Sequence, residues 1–141
     1  MNIPRLRSML KSDEGFKDTA YQDTEGYWTI GYGFLIDPRK GAGLPREIAD
    51  LWLEHAIKER WERLVAARPW IEDQPEDVQQ ALGNMAYQLG VQGVLRFRKM
   101  LAALEAGDRQ TAAAEALDST WAIQTPERAN RVAGLIRGED I

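Results

Sequence analysis

The sequence predicts an α+β protein, mainly α, with a small β-hairpin lobe and a larger helical lobe joined by a long helix. Three observations predict it. Residues 19–36 concentrate strand-favouring side chains around a turn sequence. Residues 45–67 carry apolar side chains at helical spacing over about 20 positions. From residue 70 onward, shorter helical patterns follow one another, each bounded by glycine or proline.

Taken in order, Ile3, Leu6, Met9 and Leu10 repeat at helical spacing, and Gly15 follows as a stop, so a short helix should end near Glu14. Tyr21, Tyr27, Trp28, Thr29, Ile30, Tyr32 and Phe34 favour strands, with Asp23-Thr24-Glu25-Gly26 as the turn between them. That is a hairpin with room for a short third strand. Asp37-Pro38-Arg39-Lys40-Gly41-Ala42-Gly43 reads as a loop. Pro45 sits where a first helical residue belongs. Ile48, Leu51, Trp52, Ile57, Trp61, Leu64 and Val65 then extend a helix that Pro69 ends. Pro75 opens another, with Val78, Leu82, Met85 and Leu89 on one face and Gly90 as its cap. Val94, Phe97, Leu101 and Leu104 mark a third, closed by Gly107, and Asp108 can cap the alanine-rich stretch 109–118. Thr125-Pro126 opens a last helix that Gly138 stops. The organisation expected is one domain over 1–141. Its small lobe spans about 15–44 and its linking helix about 45–67. Its helical lobe spans about 70–141 and takes in the N-terminal helix 3–14. Two such lobes leave a cleft, a preferred place for a ligand.

Bulk properties narrow the function. The chain has no cysteine and one histidine, His55, so thiol chemistry and a cysteine- or histidine-based metal site are excluded. No metal and no cofactor is called for. Net charge is −4, and the excess lies after Pro69, where 7 basic residues face 11 acidic ones. Nucleic acid is therefore not the expected partner, because backbone binding needs a basic surface. Arg5, Arg7 and Lys11 interrupt the N-terminal apolar residues, so the start does not read as a signal peptide. No run approaches the ~18 apolar residues of a membrane span. Synthesis in a cytoplasm, without stable membrane association, is the expectation.

Several residues could carry chemistry. Asp13 and Glu14 lie at the C-terminal end of the first helix, where the helix field disfavours a carboxylate by about 0.3–1 kcal/mol. Such a field, with partial burial, keeps a proton on a carboxyl group, as a general acid requires. A solvated surface pair is the alternative. Asp23 lies nine positions on, in the hairpin. It can supply the second carboxylate of a glycoside hydrolase, or it can be a turn residue bonding its own backbone. Trp52 and Trp61 are expected in the core. Trp28 and Trp121 lie in irregular or strand contexts, where an indole packs inside or against a sugar. His55, Arg5, Arg7, Arg96, Arg98 and Lys99 are expected on solvated faces.

Taken together, four stretches resemble glycoside hydrolase family 24, the phage-type lysozymes. Asp13-Glu14-Gly15 resembles the stretch around the family's catalytic glutamate. Tyr21-Gln22-Asp23-Thr24-Glu25-Gly26-Tyr27-Trp28-Thr29-Ile30-Gly31-Tyr32-Gly33 resembles its hairpin almost throughout. Tyr87-Gln88-Leu89-Gly90 and the segment from Trp121 to Val132 resemble its cleft-facing helix end and its Trp…Gln-Thr-Pro…Arg stretch. The resemblance implies a lysozyme-like fold and a muramidase cutting the β-1,4 bond between N-acetylmuramic acid and N-acetylglucosamine in bacterial peptidoglycan. It implies Glu14 as proton donor, with Asp23 and Thr29 holding the attacking water or the developing positive charge. Leu35, Tyr87 and Gln88 would line the sugar-binding cleft, and Arg128 would lie near Glu14. The expected setting is a monomeric phage endolysin, made in the host cytoplasm, released with a holin, and acting in the periplasm or cell wall. A tail- or secretion-associated lysozyme, a lytic transglycosylase and a non-catalytic wall-binding module are the alternatives. The chain departs from the family in three ways. The segment after the hairpin is short, Phe34 stands where a histidine is common, and the charge is acidic where a familiar member is strongly basic.

Overall fold

The computed structural model describes residues 1–36 and 43–139. Its secondary structure is mainly α with a small antiparallel sheet, as the sequence predicts. Most of the expected loop 37–43 lies outside the described residues. The chain divides into two compact units, Met1–Trp52 and Leu53–Ile141.

In the first unit, α1 spans Ile3–Glu14. The Asn2 side chain caps it by accepting from Arg5 N–H at 3.0 Å, and Pro4 stands in the first turn, where no partner is lost. The helix stops where expected. Gly15 has φ +70° and ψ 156°, a conformation that side chains disfavour, and its N–H closes the last turn onto Lys11 O at 3.1 Å. Strands β1 (Lys17–Gln22), β2 (Trp28–Gly31) and β3 (Phe34–Leu35) form an antiparallel sheet in that order. Tyr21 pairs with Thr29 and Thr29 with Leu35, while an irregularity interrupts β1 between Lys17 and Tyr21. The sequence reading assigned the N-terminal helix to the helical lobe. The described contacts of its last turn are with the hairpin: Glu14 against Gly33, and Lys11 over the Tyr32 ring.

Helix α2 runs from Arg46 to Ala67 with Pro45 just outside it, and the division between units falls within it. Trp52 contradicts its expected core position, being 63 % exposed. Leu51 and Leu53 beside it are exposed as well, so none of these three consecutive apolar side chains is buried. Ala56 and Leu64 are the buried residues of this helix, and Trp61 packs partly against the core. His55 is exposed, as expected.

The second unit holds the hydrophobic core. Pro69–Asp73 forms a 3-10 turn with Ile71 buried, a feature the sequence reading did not resolve. Helix α3 (Glu76–Leu95) buries Val78, Leu82 and Met85. Gly90, expected as its cap, is instead a kink at φ +78° inside it. The helix expected through Val94 and Phe97 is broken. Val94 is buried at the end of α3, and α4 begins only at Arg98 (Arg98–Glu105). Between them Arg98 N–H donates to Arg96 O at 2.8 Å across Phe97, at φ −77° and ψ 61°, which is an inverse γ-turn. Helix α5 (Arg109–Leu117) is capped by Asp108, whose Oδ1 accepts from Thr111 N–H at 3.1 Å. Trp121, read as irregular or strand, lies in a short helix α6 (Thr120–Gln124) capped by Ser119. Helix α7 (Pro126–Arg137) ends on left-handed Gly138 and packs against α3, α5 and α6.

Arg109 ties three of these elements together. Its Nε donates to Ile136 O at 2.7 Å and its Nη2 to Leu135 O at 3.0 Å, satisfying carbonyls at the end of α7. Nη2 also reaches Asp77 Oδ2 at 2.7 Å, at the start of α3. A Cβ at Gly138 would lie 3.0 Å from the guanidinium, so glycine there also makes room for the arginine. The hydrogen bond from Arg109, more than its charge, holds the Asp77 carboxyl below the usual carboxylate range. A depressed folded-state pKa means the contribution is present above the ordinary value near 4 and is lost as pH falls through the lower folded value. The pair is about a third exposed, which screens it. Arg109→Met should therefore cost about 1–3 kcal/mol at pH 7. Urea unfolding should show the gap between wild type and variant narrowing below about pH 4. A gap unchanged down to pH 2 would assign the loss to the carbonyl bonds alone.

Candidate active site

Each residue expected to act falls within one unit or the other. Glu14 ends α1 and is exposed rather than partly buried. Its carboxylate rests against the backbone of Gly33, where an added Cβ would lie 2.6 Å from Oε2. Apolar side chains Leu6, Leu10 and Phe34 line a concavity with Glu14, Lys11 and Tyr32. The Lys11 ammonium lies 5.5 Å from the centre of the Tyr32 ring, on whose other contact Phe16 packs at 5.5 Å and 48°. Lys11 and Glu14 are three residues apart, a spacing that puts both on one helix face.

Asp23 takes up the turn role that its sequence context allows. Its Oδ1 accepts from Glu25 N–H and Tyr27 N–H, both at 2.9 Å. Its own N–H donates to Tyr27 O at 2.8 Å, and its carbonyl accepts from Gly26 at 3.1 Å. These bonds fix the carboxylate at the mouth of the hairpin. Thr29 is buried, 5 % exposed, and its hydroxyl donates to Tyr27 O at 3.3 Å. With the hydrogen given to Tyr27 O, the Oγ1 lone pairs can act as acceptors. Leu35 lies directly opposite Thr29 in the sheet and is half exposed.

In the second unit, Tyr87 and Arg128 line a concavity of about 430 Å³ together with Arg60, Trp61 and Asn84. Arg60 stands 5.6 Å from the centre of the half-exposed Tyr87 ring. Arg128 was expected near Glu14, which belongs to the other unit. Within its own unit its Nε donates to Asn84 Oδ1 at 2.8 Å and its Nη2 to Asn84 O at 3.4 Å. Gln88 is exposed, and its Oε1 accepts from the buried Trp121 indole at 2.9 Å. Trp121 is thus a core residue with a polar handle. Phe97 meets it edge-on at 5.9 Å and 88°.

Sequence reasoning did not single out Gly33, Tyr32, Lys11 or Asn84. The two positive-φ glycines of Gly31-Tyr32-Gly33 were visible as a turn signal, and Lys11 by its spacing from Glu14. Nothing in the sequence marks Asn84 as the partner of Arg128.

A family model described as phage lysozyme matches residues 11–138, a stretch that includes Glu14, Asp23, Thr29, Leu35, Tyr87, Gln88 and Arg128. The chain belongs to the phage lysozyme family. It is accordingly a lysozyme-like peptidoglycan hydrolase, one of the glycoside hydrolases. It is 35 % identical to probable T4-type lysozyme 1 of Dictyostelium discoideum, over 95 % of this chain and 94 % of that one. It is 31 % identical to probable T4-type lysozyme 2 of the same organism, over 94 % of each. It is also 34 % identical to the pre-baseplate central spike protein Gp5 of Enterobacteria phage T4, over 93 % of this chain but 27 % of that one. The Dictyostelium alignments run to 164 and 159 positions, longer than this 141-residue chain, so both relatives carry residues that it lacks. No helix among the described residues is long and apolar enough to cross a membrane.

Proposed function

We propose that this phage-type lysozyme is an inverting muramidase that hydrolyses the β-1,4 bond between N-acetylmuramic acid and N-acetylglucosamine. The single observation that carries the reading is the family match across 11–138, which contains a carboxylic acid, a second carboxylate and a hydroxyl at Glu14, Asp23 and Thr29. Glu14 donates a proton to the leaving oxygen. Asp23 accepts a proton from the attacking water, and the Thr29 hydroxyl accepts a hydrogen bond that helps orient it. Leu35, Tyr87, Gln88 and Arg128 contact the glycan. An aromatic ring beside arginine and amide donors suits a sugar, which offers apolar faces and many acceptor oxygens. No metal or cofactor is needed for this chemistry.

The biological role proposed is a monomeric endolysin, made in the host cytoplasm and released to the wall with a holin. Similarity to a tail spike protein favours a second reading, a tail-associated lysozyme, though this chain matches only 27 % of that protein. Mass spectrometry of digested peptidoglycan tests the reaction. Reducing-end muramic acid is expected. Anhydro-muramic acid would replace hydrolysis by transglycosylation, and intact glycan would leave a binding module.

Stereochemistry is a sharper test. If Thr29 and Asp23 hold a water, the first-formed product carries the α anomer, visible by proton NMR before mutarotation. Thr29→Val, similar in shape but without the acceptor oxygen, should fold normally and lose about 10²-fold or more in activity. A β-anomeric first product would remove the water-holding role while leaving Glu14 as donor.

A further inference from the structure

Gly31, the last residue of β2, and Gly33, just before β3, flank Tyr32, and both have left-handed φ, +70° and +72°. They differ in what a side chain would meet. A Cβ at Gly31 would lie 3.3 Å from Cδ2 of the Phe34 ring. A Cβ at Gly33 would lie 2.6 Å from Glu14 Oε2 and 3.2 Å from Glu14 Cδ. The space beside Gly33 is the space the Glu14 carboxylate occupies.

We propose that Gly33 is a positioning residue: its bare backbone leaves the seat in which the Glu14 carboxylate rests. The proposal rests on Glu14 being the proton donor. The atoms that would clash with a Cβ belong to the far end of a flexible side chain. A methyl group at 33 is therefore relieved by rotating the carboxylate away, not by opening the hairpin. The neighbouring contacts of the hairpin end, Lys11 of α1 over Tyr32 and Phe16 just past α1 against Tyr32, do not pass through Gly33. The loss then falls on catalysis rather than on the fold. A misplacement of about 1 Å in a catalytic group costs about 10²-fold.

Gly31 supplies the control, because alanine there meets the same left-handed backbone strain without touching Glu14. Steady-state kinetics on peptidoglycan fragments and thermal melting should be measured for Gly33→Ala, Gly31→Ala and Glu14→Gln. The two alanine variants should melt at similar temperatures. Gly33→Ala should lose about 10²-fold in kcat with KM little changed, whereas Gly31→Ala keeps most of its activity. The limb of the pH–activity profile that reports the proton donor should move in Gly33→Ala and stay in place in Gly31→Ala. If alanine prevents folding at either site, asparagine, which tolerates left-handed φ, replaces it at both. Equal losses at the two positions, or a loss in KM alone, would overturn the proposal while an inactive Glu14→Gln keeps Glu14 as donor. An active Glu14→Gln would overturn the donor assignment, and the seat with it.

Discussion

Glu14→Gln is expected to abolish wall lysis while leaving the fold intact. The amide is nearly isosteric, so it fits the same place against Gly33, but it has no acidic proton for the leaving oxygen. General acid catalysis contributes about 10²–10⁴-fold, and the whole of that factor should disappear. Stability should hardly move, because Glu14 is exposed at the end of a helix. Removing a carboxylate from the negative end of α1 should, if anything, raise stability by about 0.3–1 kcal/mol. The measurement is clearance of outer-membrane-permeabilised cells beside a thermal melt. A drop of less than about tenfold in specific activity would remove Glu14 from the acid role. A variant that is both inactive and much less stable would show that the side chain holds the hairpin to α1.

The elements that were legible are those with local chemical signals at their ends. Gly15 ends α1, Asp108 opens α5, and Gly138 closes α7, each by a cap that depends on a few consecutive residues. The hairpin was legible because its aromatic strands flank a turn whose aspartate bonds its own backbone. The break before α4 carries no such signal. Val94, Arg96, Phe97 and Arg98 all suit a helix, and only the inverse γ-turn at Phe97 interrupts it. Trp121 was misread for a related reason. A five-residue helix is too short to show a period, and its tryptophan is buried by neighbours distant in sequence. Trp52 fails in the opposite direction: it and its apolar neighbours Leu51 and Leu53 all stay exposed, so hydrophobicity alone does not place a residue inside.

For the site, residue types were legible and their supports were not. Glu14 and Asp23 were legible as candidate carboxylates, and Thr29 only through the resemblance of the hairpin stretch to the family. Gly33 acts through what it lacks, and Asn84 through a bond to a residue 44 positions away. Such features follow from where the chain brings backbone and side chains together, which local spacing does not encode.

Asp23→Asn is the second large expected effect, and the hydrogen bonds of the hairpin make it a clean test. Two readings of Asp23 stood open, turn residue and catalytic carboxylate, and the turn bonds to Glu25 and Tyr27 N–H both use Oδ1. An asparagine amide oxygen can accept the same two bonds and is at home in such a turn. The fold should therefore survive Asp23→Asn with little change in melting temperature. What the amide cannot do is take a proton from water, so activity should fall by about 10²–10⁴-fold. Asp23→Ala adds the structural loss. Removing the acceptor from two part-exposed N–H groups should cost about 1–2 kcal/mol in stability, on top of the same catalytic defect. The pair of variants separates the two roles. If Asp23 serves the turn alone, asparagine is active and stable, and alanine is destabilised in proportion to its lost bonds. If it serves both, asparagine is stable and inactive. Lysis assays and thermal melts on the two variants, made side by side, decide between these patterns. Near-wild-type activity in Asp23→Asn would end the catalytic assignment, whatever the alanine variant does.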